Sequence, residues 1–170
     1  TNLALSDSSM LDVVPSWSPF FPAISLSPDL QIAGKIVFYS FRDGNQEIYA
    51  MNADGSSPTR LTNHPANDID PSWSPDRTKI AFNSNRNGNW EIYVMAADGS
   101  NPSNITNNPA NDWEPEWSPD ATKIIFSSER DGNEDVYVMD ADGSNLINLT
   151  NNQAKDWEPQ WSPDGAEMLF

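Results

Sequence analysis

Three acidic pairs are the residues in this sequence best placed to do chemistry. They are Asp68 with Asp70, Asp112 with Glu114, and Asp156 with Glu158. One residue separates the members of each pair, and in an extended strand residues two apart share a face. Like charges ~4 Å apart repel by roughly 4 kcal/mol at an effective dielectric near 20. A hard cation or a ligand's ammonium group would relieve that repulsion. An all-oxygen set favours Ca2+ or Mg2+ over Zn2+. The same carboxylates can instead cap turns and accept from backbone amides. Trp113 and Trp157 lie beside the second and third pairs, where Ile69 stands in the first, and Trp90 has no counterpart. Indoles next to carboxylates can stack on sugar rings or clamp cations, so Trp90, Trp113 and Trp157 are the candidate ligand contacts.

Other reactive patterns are thin. Residues 140–145, Asp-Ala-Asp-Gly-Ser-Asn, begin like a calcium loop but lack the downstream bidentate Glu. A tight turn with Gly at positive φ explains that run and its relatives at 52–55 and 96–99. His64 is the only histidine, and it replaces Asn108 and Asn152 at its position. A lone general base without a nucleophile carries little weight. Arg42, Arg86 and Arg130 recur once per unit and are expected to act as structural forks on nearby carbonyls or carboxylates. No Gly-x-Ser-x-Gly elbow, P-loop or His-Glu-x-x-His run is present, so no catalytic residue is assigned.

The elements that position these groups come from a repeat. Trp-Ser-Pro-Asp begins at Trp73, Trp117 and Trp161, a step of 44 residues, and Phe38, Phe82 and Phe126 keep the same step. Residues 79–122 and 123–166 are identical at 28 of 44 positions, far beyond chance. Each unit reads as short strands broken by turns. In the last full unit 123–128 is β-branched and aromatic, 130–133 is a hairpin turn, and 134–139 is a second strand. An Asp-Gly turn, a short strand near 146–150 and an extended stretch over 156–162 complete it. No segment sustains a helical period. Four short antiparallel strands in about 40–50 residues make one propeller blade. The expected fold is therefore all-β, a propeller of four-stranded antiparallel blades. We name the strands A (Trp-Ser-Pro), B, C and D.

The expected organisation is an N-terminal extension over 1–34 with a first A strand and an insertion, repeats over 35–78, 79–122 and 123–166, and the start of a further B strand over 167–170. Trp17 heads a first Trp-Ser-Pro, but 12 extra residues separate it from Lys35 relative to the next unit, leaving its register open. Trp17, Trp73, Trp117 and Trp161 are expected to pack the blades.

Composition narrows the partners. The net charge of −16 repels polyanions, which argues against nucleic acid and anionic membranes. There is no cysteine, hence no disulfide and no thiol chemistry. No apolar run spans a bilayer, and no signal peptide is visible at the start, where Thr1 suggests a processed chain.

The phrases Trp-Ser-Pro-Asp-x-x-Lys-Ile-x-Phe, Arg-x-Gly-Asn, Ile-Tyr-Val-Met-x-x-Asp-Gly and Leu-Thr-Asn resemble the WD40-like repeat of the TolB family (PD40) over about residues 35–170. The resemblance implies a six- or seven-bladed propeller and a periplasmic or extracellular location. Such blades serve binding proteins, peptidase gating domains and oligogalacturonate lyases alike, so fold does not settle function. Three full units do not close a ring. The chain is then either a piece of a longer protein or half of a homodimeric six-bladed ring, with the terminal A strand of one copy joining strands B to D of its partner's first blade. The expected function is a non-catalytic scaffold for a protein, peptide or small ligand, requiring no cofactor, with Ca2+ or Mg2+ as the cation its channel would take. The alternatives are a propeller attached to a peptidase, a sugar lyase, or a lectin-like carbohydrate binder.

Overall fold

The computed structural model describes residues 34–170 and, before them, the backbone of one strand at 13–16. The remainder of the N-terminal extension, including Trp17, lies outside the described residues. Fourteen strands and no helix occur among the described residues. The first sheet runs β1 (Val13–Ser16), β2 (Lys35–Ser40), β3 (Glu47–Asn52) and β4 (Thr59–Arg60) in that spatial order. The second runs β5 (Asp68–Trp73), β6 (Lys79–Ser84), β7 (Glu91–Ala96) and β8 (Ser103–Asn104). The third holds β9 (Asp112–Trp117), β10 (Lys123–Ser128), β11 (Asp135–Asp140) and β12 (Ile147–Asn148), and β13 (Gln160–Trp161) pairs with β14 (Met168–Leu169). All pairings are antiparallel.

Each sheet is one blade, out of phase with the sequence repeat. A 44-residue unit supplies strands B, C and D of one blade and strand A of the next. The register left open at the first A strand is now fixed. Val13 opposes Tyr39 and Ser16 opposes Val37, the same match that Ile69 and Ser72 make with Asn83 and Ala81. The 12-residue insertion therefore lies after the strand and leaves the pairing intact.

Alternation along strands B and C sends side chains to both faces, and the blades bury those faces against one another. Val37, Ile48 and Ala50 of the first blade meet Trp73, Ile80, Phe82, Tyr93 and Met95 of the second. Ala81, Ile92 and Val94 of the second meet Trp117, Ile124, Phe126, Tyr137 and Met139 of the third. Phe82, Phe126 and Ile80 are fully buried. Trp73 and Trp117 thus pack blade against blade, as expected. The C–D turn glycines have the expected positive φ, 87° at Gly99 and 89° at Gly143. They also meet a second demand. A Cβ at either position would sit 2.5 Å from a backbone oxygen of the preceding blade, that of Leu61 or Ile105.

The strand exchange expected for a homodimer meets an occupied position. β1 already pairs with β2, in the place that a partner's β13 was to fill.

Candidate functional site

The acidic pairs sit where strand A begins, and the backbone there does not stay regular. Ile69 opposes Asn83 and Ser72 opposes Ala81, so Asp70 and Pro71 together face one residue. Trp113 opposes Ser127 and Glu116 opposes Ile125, which leaves Glu114 and Pro115 in the same situation. These are β-bulges. Proline, lacking an N–H, suits a break in the ladder. Asp70, Glu114 and Glu158 take φ of 48°, 59° and 50°.

The bulge separates the first two pairs, which corrects the expectation of a shared face there, and the third pair lies ahead of β13 (Gln160–Trp161), outside any ladder. Asp68 and Asp112 are fully buried. The Arg86 guanidinium donates to both oxygens of Asp68 at 3.0 and 2.9 Å, and Arg130 donates to Asp112 at 2.8 Å. Asn108 donates to the other Asp112 oxygen at 2.5 Å. Asp156 accepts from Asn152 at 2.6 Å. Each Arg is itself held. Its Nε donates to Ser84 or Ser128, and its guanidinium stacks on Tyr93 or Tyr137 with the carbon 4.6 or 4.7 Å from the ring centre. The expected fork is therefore real at Arg86 and Arg130, and Asp68 and Asp112 are its anchors.

Asp70 and Glu114 lie on the inner strands β5 and β9, and Glu158 lies two residues ahead of β13. Asn83 accepts the Glu114 amide at 3.0 Å. In the next blade Ser127 stands in Asn83's place and donates to Glu114 Oε2 at 3.1 Å, and that oxygen accepts the Glu158 amide at 2.8 Å. Glu114 thus bonds the bulge of its neighbour across the blade boundary. Neither Asn83 nor Ser127 had been singled out in the sequence, because only the bulge gives them this role. Burial and the Glu114 charge push the Asp70 carboxyl up to about 6. Among the described residues no group of three or more His, Cys, Asp or Glu side chains comes together to hold a metal ion.

The three candidate tryptophans share this end of the array. The Trp90 carbonyl accepts from the Asp112 amide at 2.8 Å, next to Trp113. Trp90 and Trp113 are half-buried, and Trp157 is 53% exposed. His64 takes no part in any constellation of catalytic groups. Its Nδ1 accepts from the Ala66 amide at 3.0 Å.

Four-stranded antiparallel sheets, packed face to face with strand A innermost, define a set of β-propeller blades. The family model described as the TolB beta propeller domain matches residues 9–112 and 103–170, and the chain belongs to that family. It is similar to a putative TolB from Agrobacterium tumefaciens at 28% identity and TM-score 0.72, covering 84% of this chain and 50% of that one. It is also similar to TolB from Acinetobacter baumannii at 26% identity and TM-score 0.75, covering 94% of this chain and 37% of that one. An oligogalacturonate lyase in complex with manganese, at 16% identity and TM-score 0.60, shares the fold alone. The chain spans half or less of the length of both TolB structures. No curated protein matches it in sequence.

Proposed function

We propose that this chain is a non-catalytic binding scaffold whose acidic end takes a protein or peptide segment carrying positive charge. One observation carries the reading. Asp70 and Glu114 lie on successive inner strands and Glu158 just ahead of the next, beside half-buried Trp113 and exposed Trp157, and Arg86 and Arg130 are spent on Asp68 and Asp112. Lysine or arginine side chains would meet carboxylates and indole faces together, and the overall charge of −16 would steer them in. Kinship with the TolB propellers supports a periplasmic or extracellular setting.

Titration with extended Lys/Arg-rich peptides, read by tryptophan fluorescence, tests this. Binding should weaken steeply with salt, and Trp157→Ala should cost roughly 0.5–1 kcal/mol. Equal binding of an Asp/Glu-rich peptide would sink the proposal. A hard cation is the second reading, favoured by the Asp70–Glu114 repulsion, which Ca2+ or Mg2+ would relieve. Millimolar Ca2+ should then raise the melting temperature, because a ligand of the native state stabilises it. An unchanged curve discards the cation. Ring completion by a second copy requires β13 to displace the partner's β1, and a monomeric mass in solution would rule it out.

A further inference from the structure

The three B–C turns are built alike but differ in one residue. Asp43, Asn87 and Asp131 occupy the same place, each followed by glycine. In the first blade Asp43 accepts from the Tyr49 hydroxyl and from Arg60 Nη1 at 3.5 Å. In the third, Asp131 Oδ2 accepts from the Tyr137 hydroxyl at 2.5 Å and from Asn148 Nδ2 at 3.2 Å. A carboxylate at the turn therefore collects a phenol from strand C and a donor from strand D.

The second blade keeps both donors and lacks the carboxylate. Tyr93 stands where Tyr49 and Tyr137 stand, and Asn104 where Asn148 stands. Asn104 Oδ1 accepts the amides of Thr106 and Asn107 at 3.0 and 2.9 Å, as Asn148 Oδ1 accepts those of Thr150 and Asn151. Those bonds fix the amide's orientation, and Nδ2 must face the other way. It reaches toward the Tyr93 hydroxyl but completes no hydrogen bond, and it is buried. A buried donor without an acceptor is costly and rare in a folded protein.

We propose that Asn87–Gly88 is a site of spontaneous deamidation, and that its aspartate product completes in the second blade the acceptor found in the other two. Asn87 is exposed, and it is the one asparagine in the chain followed by glycine. With no side chain at Gly88, its backbone nitrogen can approach the Asn87 carboxamide. After that nitrogen loses its proton to solvent it attacks Cγ. The N–Cγ bond forms, the Cγ–NH2 bond breaks, and ammonia leaves. Water then opens the cyclic imide: breaking the N–Cγ bond leaves aspartate, breaking the other N–C bond leaves isoaspartate with its main chain rerouted through Cγ, and the aspartate matches Asp43 and Asp131. The net change is amide plus water to carboxylate plus ammonium, with no oxidant or other reactant. The Gly88 amide donates to Asn85 O at 3.1 Å, so this turn must open first and the folded chain reacts more slowly than a free peptide. The new charge lands beside Arg86, which already stacks on Tyr93.

Peptide mapping of the purified chain, incubated at mildly alkaline pH, follows the amide-to-acid mass gain at every asparagine. Asn87 should convert before all others. Asn87→Asp should melt about 2–4 °C above the parent, the shift expected for one buried hydrogen-bond cluster in a domain of this size. Asn87→Gln, which preserves the amide and resists cyclisation, should not rise. Earlier conversion of any other asparagine would overturn the proposal. So would an intact Asn87 after a free peptide of the same sequence has fully reacted, or an Asn87→Asp variant melting at or below the parent.

Discussion

The first and second acids of each pair have the same chemistry and nearly the same place in the chain, yet they face opposite problems. Asp68 and Asp112 are fully buried and each meets an arginine. Asp70 sits two residues further on, past a bulge, with no arginine and with Glu114's charge nearby. A carboxylate drawn out of water is pushed toward the protonated form where no guanidinium compensates, as at Asp70. One extra residue in the ladder decides which case applies. Spacing alone therefore misleads here. Asp68 and Asp112 belong to the mechanics of the blade, whereas Asp70 stands outside them.

Cutting the arginine from the first acid should give the largest effect. Arg130→Ala leaves Asp112 buried with Asn108 as its remaining side-chain donor, and the loss should be about 3–5 kcal/mol in denaturant unfolding. Removing Asp112 as well, in Arg130→Ala/Asp112→Ala, should recover part of it. A small loss in the single variant would mean that Asp112 is better solvated than its burial implies.

Neutralising the second acid should act in the opposite direction. Asp70 has a folded pKa of about 6 against an ordinary 3.8, so the native state holds its proton more tightly than the unfolded chain. Its contribution therefore falls as pH rises through that window, and at neutral pH the charge destabilises the fold. Asp70→Asn should gain on the order of 1–2 kcal/mol at pH 7 and flatten this part of the stability profile. A loss at neutral pH would show that an unseen cation or donor satisfies the carboxylate.

The contrast also shows what the sequence reveals directly. The 44-residue step and the Trp-Ser-Pro, Asp-Gly and Arg landmarks give the blade, its strands and its turns, because each is a local signal repeated three times. The bulge is harder to read. Pro71, Pro115 and Pro159 mark a break in the ladder, but which neighbouring side chain turns away depends on φ at the preceding residue. The roles of Asn83, Ser127 and Gly143 were hidden for a related reason. Asn83 and Gly143 take theirs from the adjacent blade, and Ser127 takes its own from a Glu114 that in turn holds the Glu158 amide of the next unit. The Gly143 turn was predicted from its own φ alone, although Ile105 O leaves no room for a Cβ there either.

The smallest expected effect probes the surroundings of the first acid. Asn108 accepts the Ala110 amide through Oδ1 at 2.9 Å while its Nδ2 donates to Asp112 at 2.5 Å, and Asn152 does the same for Ala154 and Asp156. His64 copies only half of this. A backbone N–H can only donate, so His64 Nδ1 must be unprotonated to accept from Ala66, and no bond runs from its ring to Asp68. Arg86 compensates by covering both Asp68 oxygens. His64→Asn should therefore add about 0.5–1 kcal/mol by supplying the missing donor. A His64→Asn variant no more stable than the parent would mean that the loop needs no second donor at this carboxylate, and that Asp68 depends on Arg86 alone.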